Sequence, residues 1–212
     1  TVPNRVRLAS ILAAVREVWA SPFSERAYRW RQRILTNPEH VYPSVILHRT
    51  VPAEISGVLV TADIEHGDAA SWTVSVGEGV AAVVDGGSPE TLVIGAAGNR
   101  RLLSSSRTAT RRRIPKPPAE GVLREAASGR DPLLDDTALR TLGELVAEVR
   151  AKMPNSATPW DVEFGFVGRK LYLMQIRPLR TASAPALEPI LQALDASSSV
   201  ADRPLSIEET LP

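Results

Sequence analysis

Hydrophobic and polar positions alternate over 160–166, and 171–178 is rich in aliphatic and aromatic residues, so both segments read as strands, with Gly168 marking the turn between them. A three-residue loop, 168–170, sets Glu163 opposite Gln175 and Asp161 opposite Arg177. These four polar groups then share one face at the open end of a hairpin. The other face, Val162, Phe164, Phe166, Tyr172, Met174 and Ile176, reads as a core face. A two-residue loop would move Gln175 onto the apolar face and leave its amide without partners, so the polarity favours the longer loop.

The remaining pattern supplies helices and further strands. Over 5–20, Leu8, Ile11, Leu12, Val15, Val18 and Trp19 recur at three- and four-residue steps, which predicts an amphipathic helix ended by Ser21-Pro22. A second helix is predicted over 23–35, with Arg26, Arg29, Arg31 and Arg33 as a solvated face and Asn37-Pro38 as its stop. Strands are predicted over 44–50, 56–61, 72–76, 80–84 and 91–94, and His66 falls in a polar turn over 63–67. A third helix starts at a cap, Asp135 or Asp136, and runs to Lys152 with Leu139, Leu142, Leu145, Val146 and Val149 as its buried stripe. The segment 99–118 is rich in Arg and Ser and reads as an exposed basic loop with a short strand over 102–105. After Arg180 the composition shifts to Ala, Ser, Pro and Glu, so 181–212 reads as an extension or linker, with a short helix over 186–194.

Composition narrows the function classes. The 212 residues are 43% apolar, enough for a real core. The 25 basic against 24 acidic residues, net +1, argue against a dedicated nucleic-acid binder. No cysteine is present, which excludes disulfides, thiolate metal sites and a cysteine nucleophile. No apolar run is long enough to span a bilayer, so the expected setting is cytoplasmic, without a membrane partner.

The hairpin carries the chemistry. A carboxylate facing a carboxamide, with a guanidinium and a second carboxylate beside them, suits a metal–phosphate site. Oxygen ligands hold Mg²⁺, substrate phosphates complete its shell, and arginine grips phosphate oxygens in a bidentate way. The same residues also suit a solvated sheet face with an Asp–Arg cross-strand pair.

Asp161, Glu163, Leu171, Tyr172, Gln175, Arg177 and Pro178 form a D-V-E, turn, L-Y-x-x-Q-x-R-P pattern. It resembles the end of the nucleotide-binding domain in the phosphoenolpyruvate synthase / pyruvate phosphate dikinase family, which includes the glucan water dikinases. Val18-Trp19-Ala20-Ser21 with Ser24-Glu25-Arg26-Ala27-Tyr28 is similar to a helix junction of that family, closest to its glucan water dikinase-like bacterial branch. Val51, Ala53, Ser56, Gly57, Val58 and Thr61 are similar to its V-x-A-x-x-S-G-V-x-x-T hairpin.

The resemblance implies an α+β fold, the C-terminal subdomain of an ATP-grasp domain, with a mostly antiparallel sheet, flanking helices and a boundary near residue 180. It implies ATP as substrate with Mg²⁺ as cofactor. Glu163 and Gln175 correspond to the metal-holding pair, and Arg177 to the phosphate-binding residue that neutralises transition-state charge. Asp161 orients Arg177 or meets the metal shell, and His48 stands where the family usually has a nucleotide-side Gln. Two acidic positions of the family fall here on Thr73 and Val80, and Glu78 lies on the other side of Gly79, a candidate substitute. Thr1-Val2-Pro3-Asn4 is similar to residues just after an upstream phosphate-binding motif. The expected partners are therefore an upstream nucleotide-binding lobe and a phosphohistidine domain, and this stretch alone is expected to be inactive. The alternative is a non-catalytic remnant that binds nucleotide or a partner in a regulatory role.

Overall fold

The computed structural model describes residues 4–37, 39–83, 88–153 and 158–179. The expectations for 181–212 lie outside the described residues. Strands β1 (Ile55–Val60), β2 (Trp72–Glu78), β3 (Glu90–Ile94), β4 (Arg100–Ser104), β7 (Trp160–Val167) and β8 (Lys170–Pro178) form one sheet in the order β4-β3-β2-β1-β7-β8. Every neighbouring pair in it is antiparallel. Helix α3 (Asp136–Lys152) is capped by Asp135, whose side chain accepts from the Ala138 amide at 2.8 Å. The fold is α+β with a mostly antiparallel sheet, as the resemblance implies.

Alternation places the core on one face of the sheet. Leu59, Val74, Val76, Leu92, Val162 and Phe164 project to that side, where Leu139, Leu142, Val146 and Val149 of α3 meet them. Leu133 and Leu134, just before the helix, close the same cluster. The opposite face carries shorter and polar side chains in two rows, following the register. One row runs Gln175, Glu163, Val58, Ser75, Thr91; the other runs Arg177, Asp161, Val60, Thr73, Val93.

Three expectations change. The segment 44–50 is irregular chain, and 80–83 is a turn rather than a strand. Part of the basic stretch is sheet: β5 (Thr110–Arg113) pairs with β6 (Leu123–Ala126), and Arg112 bridges Gly79 at the end of β2. Arginine-rich sequence hides a strand because its apolar face is thin; here the ladder and the Arg113–Glu125 pair (2.6 Å) hold it. The apolar stripe of α1 (Leu8–Ala20) is not buried: Leu8, Leu12 and Trp19 are all more than half exposed or close to it, and the core is built without them. A turn of 3₁₀ helix, Ser21–Phe23, leads to α2 (Glu25–Ile34), capped by Ser24.

A distant carboxylate fixes α1. Arg7, its N-cap, makes no side-chain cap, and Glu120 stands in. Glu120 accepts from the Val6 and Arg7 amides, both at 2.8 Å, from Arg7 Nη2 at 3.1 Å and from Ser10 Oγ at 2.5 Å. The Arg7 side chain first, then Ser10 and the two amides, hold the Glu120 carboxyl far below its ordinary range. A negative charge at a helix N-terminus is also favoured by the helix dipole. With the folded pKa depressed, the tether is fully present above the ordinary carboxylate pKa and is lost as pH falls through and below that range. Glu120→Gln is expected to speed amide hydrogen exchange in the first turns of α1 at pH 7, with the difference from wild type shrinking in acid. Equal exchange at pH 7 would remove this role.

Candidate functional site

The hairpin β7–β8 sets Asp161 opposite Arg177 and Glu163 opposite Gln175. The pairing matches the sequence reading, but it arises differently. Val167 pairs with Lys170, so the loop has two residues, Gly168 and Arg169, and Gly168 takes φ +57°, which suits glycine in a tight hairpin turn. From there Phe166 pairs with Leu171 and Phe164 with Leu173, and a register shift between Glu163 and Phe164 leaves Met174 as the extra residue. This β-bulge restores the pairing a three-residue loop would have given.

The bulge also re-aims β8. Leu171 packs on the core near the turn and Ile176 near the open end, whereas Met174 is 42% exposed. Its Cε lies 2.7 Å from where a Cβ on Gly165 would stand, on the Glu163 side of β7. The expectation that Met174 and Tyr172 join the core face is thus corrected: Tyr172 faces the same side as its partner Gly165. Phe164 is in the core, 1% exposed.

Asp161 and Arg177 are joined at 2.7 Å, Nε donating to Oδ2. The Asp161 hydrogen bond first, then its charge, hold the guanidinium above its ordinary pKa, and the Glu163 charge adds to this. The Asp161 side chain is 8% exposed while that of Arg177 is 59% exposed, so the pair presents its cation outward. Oδ1 of Asp161 is buried and has no hydrogen-bond partner among the described residues. A buried acceptor without a donor is costly unless something fills it. Together the face offers carboxylate and carboxamide oxygens beside a guanidinium, a donor set that fits a hard divalent cation and phosphate.

His48 and Glu78 lie elsewhere, and together. Both line a cleft of about 1470 Å³, along with Arg49, Ala53, Arg111 and Val167 among others. His48 is exposed, its Nδ1 2.8 Å from the Arg49 carbonyl oxygen. Glu78 ends β2 on the α3 side of the sheet, opposite to the face bearing Glu163. Its carboxylate accepts from Ser128 N (2.9 and 3.0 Å) and Ser128 Oγ (2.7 Å), with Arg111 at 3.5 Å. Seven Arg or Lys residues and two Glu line this cleft, against a net +1 for the whole chain. The basic stretch thus forms a cleft wall, which only the pairing of β5 reveals. The cleft meets β7 at Val167, four residues and about 13 Å along the same face from Glu163.

One acidic cluster is already filled. Asp63, Glu65 and His66 converge, but Arg101 pairs with Asp63 (3.2 Å) and Glu65 (2.5 Å), and His66 Nδ1 lies 3.0 Å from Asp63. The hydrogen bonds from His66 and from the Glu65 amide keep the Asp63 carboxyl below its ordinary pKa. A guanidinium already occupies the place a cation would take.

An α+β domain with an antiparallel sheet, a phosphate- and cation-compatible hairpin and a basic cleft is the class that fold and geometry define. The family model described as pyruvate phosphate dikinase, AMP/ATP-binding domain, matches residues 1–197, and the chain belongs to that family. It is 31% identical over 192 residues to a rifampicin phosphotransferase of Streptomyces sp, covering 85% of this chain and 21% of that protein. It is 27% identical over 194 residues to a probable phosphoenolpyruvate synthase of Archaeoglobus fulgidus, covering 85% of this chain and 24% of that one. An uncharacterized phosphotransferase of Bacillus subtilis, YvkC, is 26% identical over 178 residues, 80% of this chain and 20% of its own length. The chain therefore spans about a fifth to a quarter of the curated relatives it matches. Among the described residues no helix is long and apolar enough to cross a membrane.

Proposed function

We propose that this domain is the C-terminal part of an ATP-grasp site that binds Mg²⁺-ATP for phosphoryl transfer, with a histidine on another domain of the full-length protein as the first acceptor. The observation that carries the reading is the hairpin face: Glu163 opposite Gln175, with the outward Arg177 tethered to a buried Asp161 whose second oxygen lacks a partner among the described residues. Glu163 and Gln175 would hold the cation, which when bound supplies charge neutralisation between phosphates. Arg177 binds a phosphate oxygen and stabilises the charge that develops during transfer, and Asp161 keeps its fork in place. Phosphoryl transfer depends on positioning and electrostatics, so no nucleophile is needed from these residues. The base end of the nucleotide lies toward the cleft at His48 and Val167, and the triphosphate follows β7 to Glu163. Glu78 supports the cleft wall through Ser128 and thereby shapes the nucleotide site.

A second reading has its own observation. The family's acidic positions on the β2 side are Thr73 and Val80 here. Thr73 Oγ1 is spent locally, donating to the Ala62 carbonyl at 3.0 Å and accepting from the Ile64 amide at 3.1 Å. With Glu78 also occupied, a remnant that binds nucleotide without turnover, as a regulatory module, keeps the same fold. Mg²⁺-dependent ATP consumption by the full-length protein separates the two. Arg177→Lys keeps the charge but loses the planar fork. It is expected to cut turnover by tenfold or more, with little change in the Mg²⁺ requirement. ATP binding without any turnover in wild type would favour the regulatory module, and unchanged turnover in Arg177→Lys would remove Arg177 from the transfer step.

A further inference from the structure

Helix α1 carries two apolar sides. Ile11, Ala14 and Val18 share one of them and are half-buried, with Ile11 and Ala14 along the basic cleft. Leu8, Leu12, Val15 and Trp19 fall within about 60° of one another on the next side. There Leu8, Leu12 and Trp19 are 71%, 50% and 57% exposed, and no residue of the helix is fully buried. A helix of 13 residues is marginal in water on its own propensity and draws its stability from covering its apolar face. Neither the sheet nor α2 supplies that cover, since the stripe is exposed in their presence.

The stripe steps by four, three and four residues, the spacing of a seam between two helices. We propose that this stripe seats an amphipathic α-helix from another part of the full-length protein, its apolar residues on Leu8, Leu12, Val15 and Trp19 and its carboxylates toward Arg16. The seat does not depend on whether the domain binds nucleotide. The chain spans about a fifth to a quarter of the curated relatives it matches, so proteins of this kind have the length to supply such a helix. Charge defines the flank of the partner. Over 5–33 seven arginines stand against two glutamates, net +5, compared with +1 for the whole chain. Arg16, one turn from Leu12, makes no ion pair among the described residues, and Glu17 lies about 160° around the helix from Trp19. A second copy of α1 would therefore bring arginine and no carboxylate to the seam. A bilayer fits poorly too, because it needs one continuous apolar face, whereas on α2 Tyr28 and Trp30 project about 160° apart.

The test is hydroxyl-radical footprinting of the full-length protein, read residue by residue by mass spectrometry. Tyr42, 84% exposed, is the open reference and Trp72, 7% exposed, the buried one. A bare stripe would oxidise Trp19 faster than Trp72 by about their ratio of exposure, 57% to 7%, roughly eightfold. The expected result is a Trp19 rate close to that of Trp72. Leu12→Glu should then expose Trp19 together with one helical peptide elsewhere in the chain, while Trp72 stays protected. Should Leu12→Glu also open Trp72, Arg16→Glu, a surface change, is expected to give the same pair of exposures more weakly. Oxidation of wild-type Trp19 at the rate of Tyr42 would overturn the proposal. Protection that disappears on dilution would mean that a second copy covers the stripe, and protection seen only with added phosphatidylglycerol vesicles would mean a lipid surface; either overturns it. So would exposure of Trp19 in both variants with no other peptide gaining oxidation.

Discussion

Glu163→Gln in the full-length protein should slow ATP-dependent phosphoryl transfer by about tenfold to a thousandfold and raise the Mg²⁺ concentration needed for half-maximal rate. The substitution keeps size and hydrogen-bonding capacity and removes one charge. Removing a single preorganised electrostatic contact costs about 2.7–4 kcal/mol at the upper end, which sets the upper bound of the range. The metal dependence is the diagnostic part. A carboxylate that holds a cation contributes most of its effect through that cation, so excess Mg²⁺ should recover part of the rate in Glu163→Gln and little in Arg177→Lys. If the hairpin face is instead only solvated surface, both variants keep wild-type kinetics and stability shifts by about 0.5 kcal/mol or less. The melting curve should be nearly unchanged on either view, since Glu163 is on the face away from α3. A variant with normal turnover and an unaltered Mg²⁺ titration would end the metal assignment.

The architecture was legible wherever burial and period agree. Alternation in β7 located the core residues Val162, Phe164 and Phe166, and the three- and four-residue steps of α3 found Leu139, Leu142, Val146 and Val149. The facing of Glu163 and Gln175 was legible too, although the loop length behind it was not. Polarity registers only the sum of loop and bulge: two loop residues plus one bulged residue give the same pairing at the open end as three loop residues. The difference appears only between the bulge and the turn, where Met174 leaves the core side and Leu171 takes it. A two-residue Gly-X turn is itself a hairpin signal, and weighing it with a bulge would have reconciled both cues. The basic stretch failed for another reason. β5 is a strand because β6, ten residues on, and Gly79, far back in the chain, supply its hydrogen bonds, and no local pattern encodes such partners. The helix stripe of α1 shows the converse: amphipathic period predicts a helix correctly but does not say what will cover it.

Phe164→Ala should destabilise the domain by about 3–5 kcal/mol, the usual cost of deleting a fully buried aromatic ring. Phe164 is among the largest fully buried side chains, pairs edge-on with Phe166 at 5.8 Å, and reaches across β1 so that its Cζ comes within 3.1 Å of the point a Cβ on Gly57 would occupy. No neighbour collapses readily into the gap: Gly57 has no side chain to offer and Val76 is already packed there. Against a typical total of about 5–15 kcal/mol, the loss should lower the melting temperature by roughly 6–20 °C for a domain of this size. Phe164→Leu, closer in volume, should cost less. The contrast with Glu163 is the sharper test, because the two are adjacent and a strand sends adjacent side chains to opposite faces. At a temperature where Phe164→Ala is still folded, its Mg²⁺ titration should match wild type, whereas Glu163→Gln should show wild-type melting and a shifted titration. A fall of less than about 2 °C in Phe164→Ala would mean that the ring is not buried as described. An equal shift in both Mg²⁺ titrations would mean that the two faces of β7 do not separate stability from ligand binding.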